Sequence, residues 1–136
     1  MERKEFERLP QMTMERFKAG QSAEMEVEVT KDLTTNRMGR EGADVLSTPA
    51  LLGLMENVSI KATEPYLPEG HTTVGYAVDG LRHLAPTPIG EKVLLKTELT
   101  EVDRNRLTFQ IEAFEGDKKV ALATHKRAVV PTDPGA

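Results

Sequence analysis

The chain has 136 residues, a length that fits one domain able to bury its own core. It contains no cysteine, which excludes disulfides, thiol catalysis and thiolate metal sites and suits a reducing cytoplasm. The net charge is −4, with acids and bases interspersed, so the basic face of a nucleic-acid binder is excluded. No run is long and apolar enough to cross a bilayer, and residues 1–15 are too charged for a signal peptide.

Residues 1–20 read as a polar leader that Gly20 ends, and 132–136 as a tail, leaving one domain over 21–131. In 23–30, Met25, Val27 and Val29 alternate with Glu24, Glu26 and Glu28, the pattern of a strand with one wet face. Residues 31–46 are polar, contain Gly39 and Gly42, and lack apolar periodicity; a loop is expected. Thr48 is then a candidate N-cap and Pro49 suits the first helical position. The helix should run to about Thr63 or Glu64, because Pro65 disfavours helical geometry just before it. Its apolar residues occupy most of the circumference, which predicts burial on most sides.

Four strands are expected next, over 72–81, 91–102, 107–113 and 120–130, with short polar connections at 103–106 and 115–118 that suggest hairpins. Asp79-Gly80 reads as a bulge within the first of them. The fold class is therefore α+β, with an antiparallel five-stranded sheet curled round one long helix.

Three residues stand out chemically. Glu56 interrupts the apolar helix in G-L-M-E-N-V-S. A carboxylate there loses hydration and should titrate high unless a cation or hydrogen bonds compensate, which makes it a candidate base or nucleophile. The alternative places it on a solvated stripe beside Lys61 or Glu64. His83 opens H-L-A-P-T-P-I-G, whose prolines and glycine fix an irregular backbone. A histidine held there can orient a carboxylate or polarise a carbonyl; the alternative is an exposed loop histidine. Thr48 is explained by capping alone, although a helix N-terminus also suits developing negative charge. His125 and Arg127, alternating with Thr124 and Lys126, read as a polar sheet face. Arg104, Arg106, Lys118, Lys119, Lys126 and Arg127 concentrate positive charge in the second half. The histidines are His71, His83 and His125, without the spacing of a local ligand pair, so no metal is expected.

The segments T-P-A-L-L-G-L-M-E (48–56), H-L-A-P-T-P-I-G (83–90) and A-T-H-K-R-A-V-V (123–130) together resemble the fluoroacetyl-CoA thioesterase-like family of hotdog proteins. The similarity covers roughly residues 20–130. It implies a hotdog fold, a homodimer or larger assembly with active sites at the subunit interface, and hydrolysis of a short-chain acyl-CoA, with coenzyme A as part of the substrate and no separate cofactor. The family's catalytic threonine, glutamate and histidine match Thr48, Glu56 and His83. Its substrate-binding arginine matches Arg127, and the glycine whose amide faces the thioester carbonyl matches Gly75. The family's fluoroacetyl-specific pattern carries aromatic residues before the helix, and 31–46 has none. Two other readings stay open: a non-catalytic hotdog module binding acyl-CoA or another small ligand, and an enoyl-CoA hydratase-like enzyme.

Overall fold

The computed structural model describes residues 14–36 and 41–133. The elements run β1 (Ser22–Glu28), a 3-10 turn (Lys31–Leu33), α1 (Thr48–Thr63), a second 3-10 turn (Glu64–Tyr66), β2 (His71–His83), β3 (Lys92–Asp103), β4 (Arg106–Glu115) and β5 (Lys118–Pro131). All strand pairings are antiparallel, in the spatial order β1-β3-β4-β5-β2. This is the hotdog arrangement expected from the sequence, with β1 and β2 as the two sheet edges.

The alternation on each strand sorts its side chains. Val93, Leu95 and Leu99 of β3, Leu107, Phe109 and Ile111 of β4, and Ala121, Ala123 and Val129 of β5 turn inward against Leu51, Met55 and Val58 of α1. On the outer face, Lys92 meets Glu26, Lys96 meets Glu24, and Lys119 meets Glu112. The segment just before β1, read from sequence as the end of a polar leader, joins the core: Met14 and Phe17 are buried, and Phe17 packs edge-on against Tyr66. Arg16 donates to the Pro65 carbonyl and ties this segment to the end of the helix.

The hairpins at Asp103–Arg106 and Glu115–Lys118 each turn on two residues. The first loop residue of each, Arg104 and Gly116, takes positive φ (56° and 59°). β2 is far less regular. Its register against β5 slips between Gly75 and Ala77 and again between Asp79 and Arg82, where Gly80 has φ 60°. The expected bulge at Asp79-Gly80 is therefore present, and a second lies beside Gly75.

The loop before the helix is better organised than its polarity suggests. Thr34 and Leu46 form a bridge, and Thr35 pairs with Val45 through its N–H and with Ala43 through its hydroxyl. Asn36 donates to Asp44 and accepts from the Gly42 amide. A Cβ on Gly42 would come within 3.1 Å of the Thr35 carbonyl oxygen, so glycine permits a close approach here rather than pliancy. Met38 and Gly39 lie outside the described residues.

Candidate active site

The helix begins one residue away from where the sequence reading caps it. Ser47, not Thr48, is the N-cap: its backbone is extended and its hydroxyl accepts from the Ala50 amide at 3.2 Å. Thr48 is the first helical residue and Pro49 the second, so the Thr48 hydroxyl is released from capping. It lies exposed, 2.9 Å from His83 Nδ1. His83 ends β2, and its other ring nitrogen, Nε2, is buried without a hydrogen-bond partner among the described residues. Burial holds its pKa below the ordinary histidine value, which favours the neutral ring.

Glu56 stands in a second cluster. Eight residues along the helix it is about 12 Å from Thr48 in axial rise. It lies on a half-buried stripe with Leu52, Gly53 and Ile60, while Leu51 and Met55 point into the subunit's own core. The compensating cation is Arg127, whose Nη1 is 3.9 Å from Glu56 Oε2; the arginine side chain is 5% exposed and that of Glu56 39%. Burial lowers the Arg127 pKa and the Glu56 charge opposes that shift. Gly75 pairs with Arg127 across the sheet. A Cβ on Gly75 would lie 2.9 Å from Arg127 Nη1, 3.0 Å from Glu56 Oε2 and 3.0 Å from His125 Cε1. Only glycine lets the β2 backbone approach this carboxylate and guanidinium so closely.

His125 also belongs to this cluster, although with Arg127 it reads from sequence as part of a polar sheet face. It is buried, with Nδ1 2.8 Å from the Ala77 carbonyl and Nε2 3.1 Å from Arg127 Nη1. The missed signal was parity: His125 and Arg127 share their side of β5 with Ala121, Ala123 and Val129, an apolar set that faces inward. Lys126, one residue out of phase, faces the other way.

The concentration of positive charge read from the second half does not form one patch. Arg104 and Arg106 sit at the Asp103–Arg106 turn, Lys118 and Lys119 at the far end of β4, about 30 Å away. Arg127 is internal.

One subunit thus brings together Thr48 with His83, and Glu56 with Gly75, His125 and Arg127, but not the two groups with each other. Gly75 and His83 pair with Arg127 and Ala121 of β5, six residues or about 20 Å apart along that strand. Among the described residues no group of three or more histidine, aspartate or glutamate side chains could hold a metal ion. No helix there is long and apolar enough to cross a membrane.

Comparison with known proteins gives a consistent likeness. The sequence profile of the fluoroacetyl-CoA-specific thioesterase family matches residues 29–133. A fluoroacetyl-CoA thioesterase from Streptantibioticus cattleyicolor is 36% identical over 90 residues, 66% of this chain and 64% of that protein, so the match spans a little under two thirds of the relative. Among solved structures, a variant of the fluoroacetyl-CoA-specific thioesterase FlK, in complex with fluoroacetate and CoA, superimposes with a TM-score of 0.76 at 28% identity. That alignment covers 86% of this chain and 98% of the other. A hot-dog-like protein from Thermanaerovibrio acidaminovorans gives a TM-score of 0.77 at 30% identity, covering 88% of each chain.

Proposed function

The chain belongs to the fluoroacetyl-CoA-specific thioesterase family, and from that premise we propose that it hydrolyses a short-chain acyl-CoA to the free acid and CoA. The observation that carries this reading is the carboxylate of Glu56, set beside a buried guanidinium and against Gly75, a strand position with no side chain. A thioester carbonyl lying over Gly75 would meet Glu56 as base towards water or as nucleophile. The Gly75 amide is the proposed oxyanion donor. Thr48 and His83 complete the set by positioning the thioester and the carboxylate.

Because the two clusters are separate in one chain, the proposal requires a second copy. β2 is an edge strand, and Val74 and Tyr76 on it are 47% exposed, an apolar edge left open for pairing. If two β2 strands pair antiparallel about a two-fold axis near Asp79, Gly75 of one copy stands opposite His83 of the other. Each Thr48–His83 pair then joins the other copy's Glu56 and Arg127, giving a homodimer with two interface sites. The cysteine-free composition supports a cytoplasmic location.

The substrate is proposed to be short or branched. Leu52 and Ile60 on the half-buried stripe of α1 crowd a path along the helix, which disfavours long chains. No aromatic residue occurs in 31–46 to cover a small acyl group closely. The test is a panel from acetyl-CoA to palmitoyl-CoA, with fluoroacetyl-CoA included, followed by release of free thiol; the protein has no cysteine to contribute background. Turnover of several short acyl groups is expected, with little preference for fluoroacetyl over acetyl. No thiol release from any member would overturn hydrolysis. A fluoroacetyl preference above about a thousandfold would overturn the substrate reading, because one small substituent is worth only about 1–3 kcal/mol in an ordinary pocket.

A further inference from the structure

Arg127 can only donate hydrogen bonds, and that settles the state of its neighbour. Its Nε donates to Thr73 Oγ1 at 2.9 Å, its Nη2 to the Thr73 carbonyl at 3.0 Å, and its Nη1 lies 3.1 Å from His125 Nε2. Nε2 must therefore accept, which places the ring proton on Nδ1, where it donates to the Ala77 carbonyl. Ala77 is the first paired residue after the bulge at Gly75, so the same ring pins the bulged backbone of β2 on one side and the guanidinium on the other. We propose that His125 is the positioning residue of this site: as a neutral imidazole it holds Arg127 against Glu56 and Gly75, and its protonation releases that hold.

The electrostatics around the ring agree. Its cross-strand neighbours, Phe109 on β4 and Val78 on β2, carry no charge. The charged groups facing it are Arg127 on its own strand and Glu56 on α1. Burial holds the His125 pKa below the ordinary value; the Ala77 bond pulls the other way, and behind these Arg127 lowers and Glu56 raises it. A proton on Nε2 would turn the acceptor of Arg127 into a second donor facing the same cation. The site should thus carry an acid limb below the ordinary histidine range. The sign for stability is the same: with a lowered folded-state pKa the unfolded chain binds the proton first, so stability is full above about pH 6.5 and declines as the pH falls through the folded-state value.

The kinetic part of the test rests on the thioesterase reading; the spectroscopic part does not. His125→Gln places an acceptor near the Nε2 position that cannot be protonated at these pH values, whereas His125→Asn keeps only a group near Nδ1. Expected for the glutamine variant are a turnover well above that of the asparagine variant and loss of the acid limb. For the asparagine variant, kcat should fall by about a hundredfold, the scale of a reacting group displaced by about 1 Å. Nitrogen-15 NMR of the wild-type protein should show His125 protonated on Nδ1, with an Arg127 Nε–H protected from exchange in wild type and His125→Gln but not in His125→Asn. A wild-type ring protonated on Nε2 at pH 7 would overturn the proposal, as would an asparagine variant matching wild type in both kcat and acid limb. If the wild-type protein hydrolyses no acyl-CoA, the thioesterase reading falls, and the tautomer and the Arg127 protection still decide the role of His125. If His125→Asn does not fold, the wild-type tautomer decides it.

Discussion

Ser47 and Thr48 are adjacent hydroxyl residues with separable roles. Ser47 caps the helix; Thr48 reaches His83. Ser47→Ala should lower stability by about 1 kcal/mol with activity per folded molecule intact. Thr48→Val keeps shape and removes only the hydroxyl; at an exposed position its stability change should stay within about 0.5 kcal/mol while turnover falls. Chemical melts paired with kinetics check this, and a Thr48→Val variant of wild-type activity would return Thr48 to a structural role. Glu56→Gln removes basicity and charge together, so turnover should fall by about two orders of magnitude. The buried Arg127 then loses its carboxylate, and the melting temperature should drop rather than rise. Sequence singled out Glu56 and His83 because a carboxylate in an apolar helix and a histidine fixed by prolines are local anomalies. It misplaced the cap because two neighbouring hydroxyls satisfy the same pattern, and only backbone dihedrals separate them.

Helix α1 matched its expected span because Pro65 and the apolar run are strong local signals. Its surroundings were less legible. Burial on most sides is not met by the subunit's own sheet: Leu52, Gly53, Glu56 and Ile60 remain half-buried, and Asn57 and Lys61 beside them are exposed. Which stripe stays open depends on where a curled sheet ends, a tertiary fact with no periodic trace. Gly53 sits on that stripe between Thr48 and Glu56, and a Cβ there would meet nothing within 4 Å. A glycine inside a helix costs about 0.5–1 kcal/mol against alanine, so Gly53→Ala should stabilise the fold by that amount. If the open space beside Gly53 receives substrate, the same variant should raise KM. A more stable variant with unchanged KM would show that the gap is incidental.

The five strands and the two hairpins follow from alternation and turn residues, so much of the single-chain fold was legible; the pairing of β1 with β3 and of β2 with β5, and the inward parity of His125 and Arg127, were not. The proposed assembly is written more faintly, in the exposed Val74 and Tyr76 of β2, because an edge strand alternates alike whether solvent or another strand lies beside it. The proposed dimer nevertheless has a definite register. A two-fold axis relating antiparallel β2 strands makes one residue its own neighbour, and bringing Gly75 opposite His83 makes that residue Asp79. Two aspartates facing each other repel, so Asp79→Asn should tighten the dimer. Asp79→Cys goes further: across a strand pair the two Cα atoms fall within about 4.4–6.8 Å, the separation a disulfide spans. The only thiols present would be those introduced, since the natural sequence has none. Mild oxidation should give a covalent dimer in high yield that keeps its acyl-CoA turnover, while cysteine at Lys126, on the outer face of β5, should stay monomeric on a denaturing gel. A wild-type protein that sediments as a monomer at micromolar concentration, or an Asp79→Cys dimer formed no faster than the Lys126→Cys one, would remove the register that unites the Thr48–His83 and Glu56–Arg127 clusters.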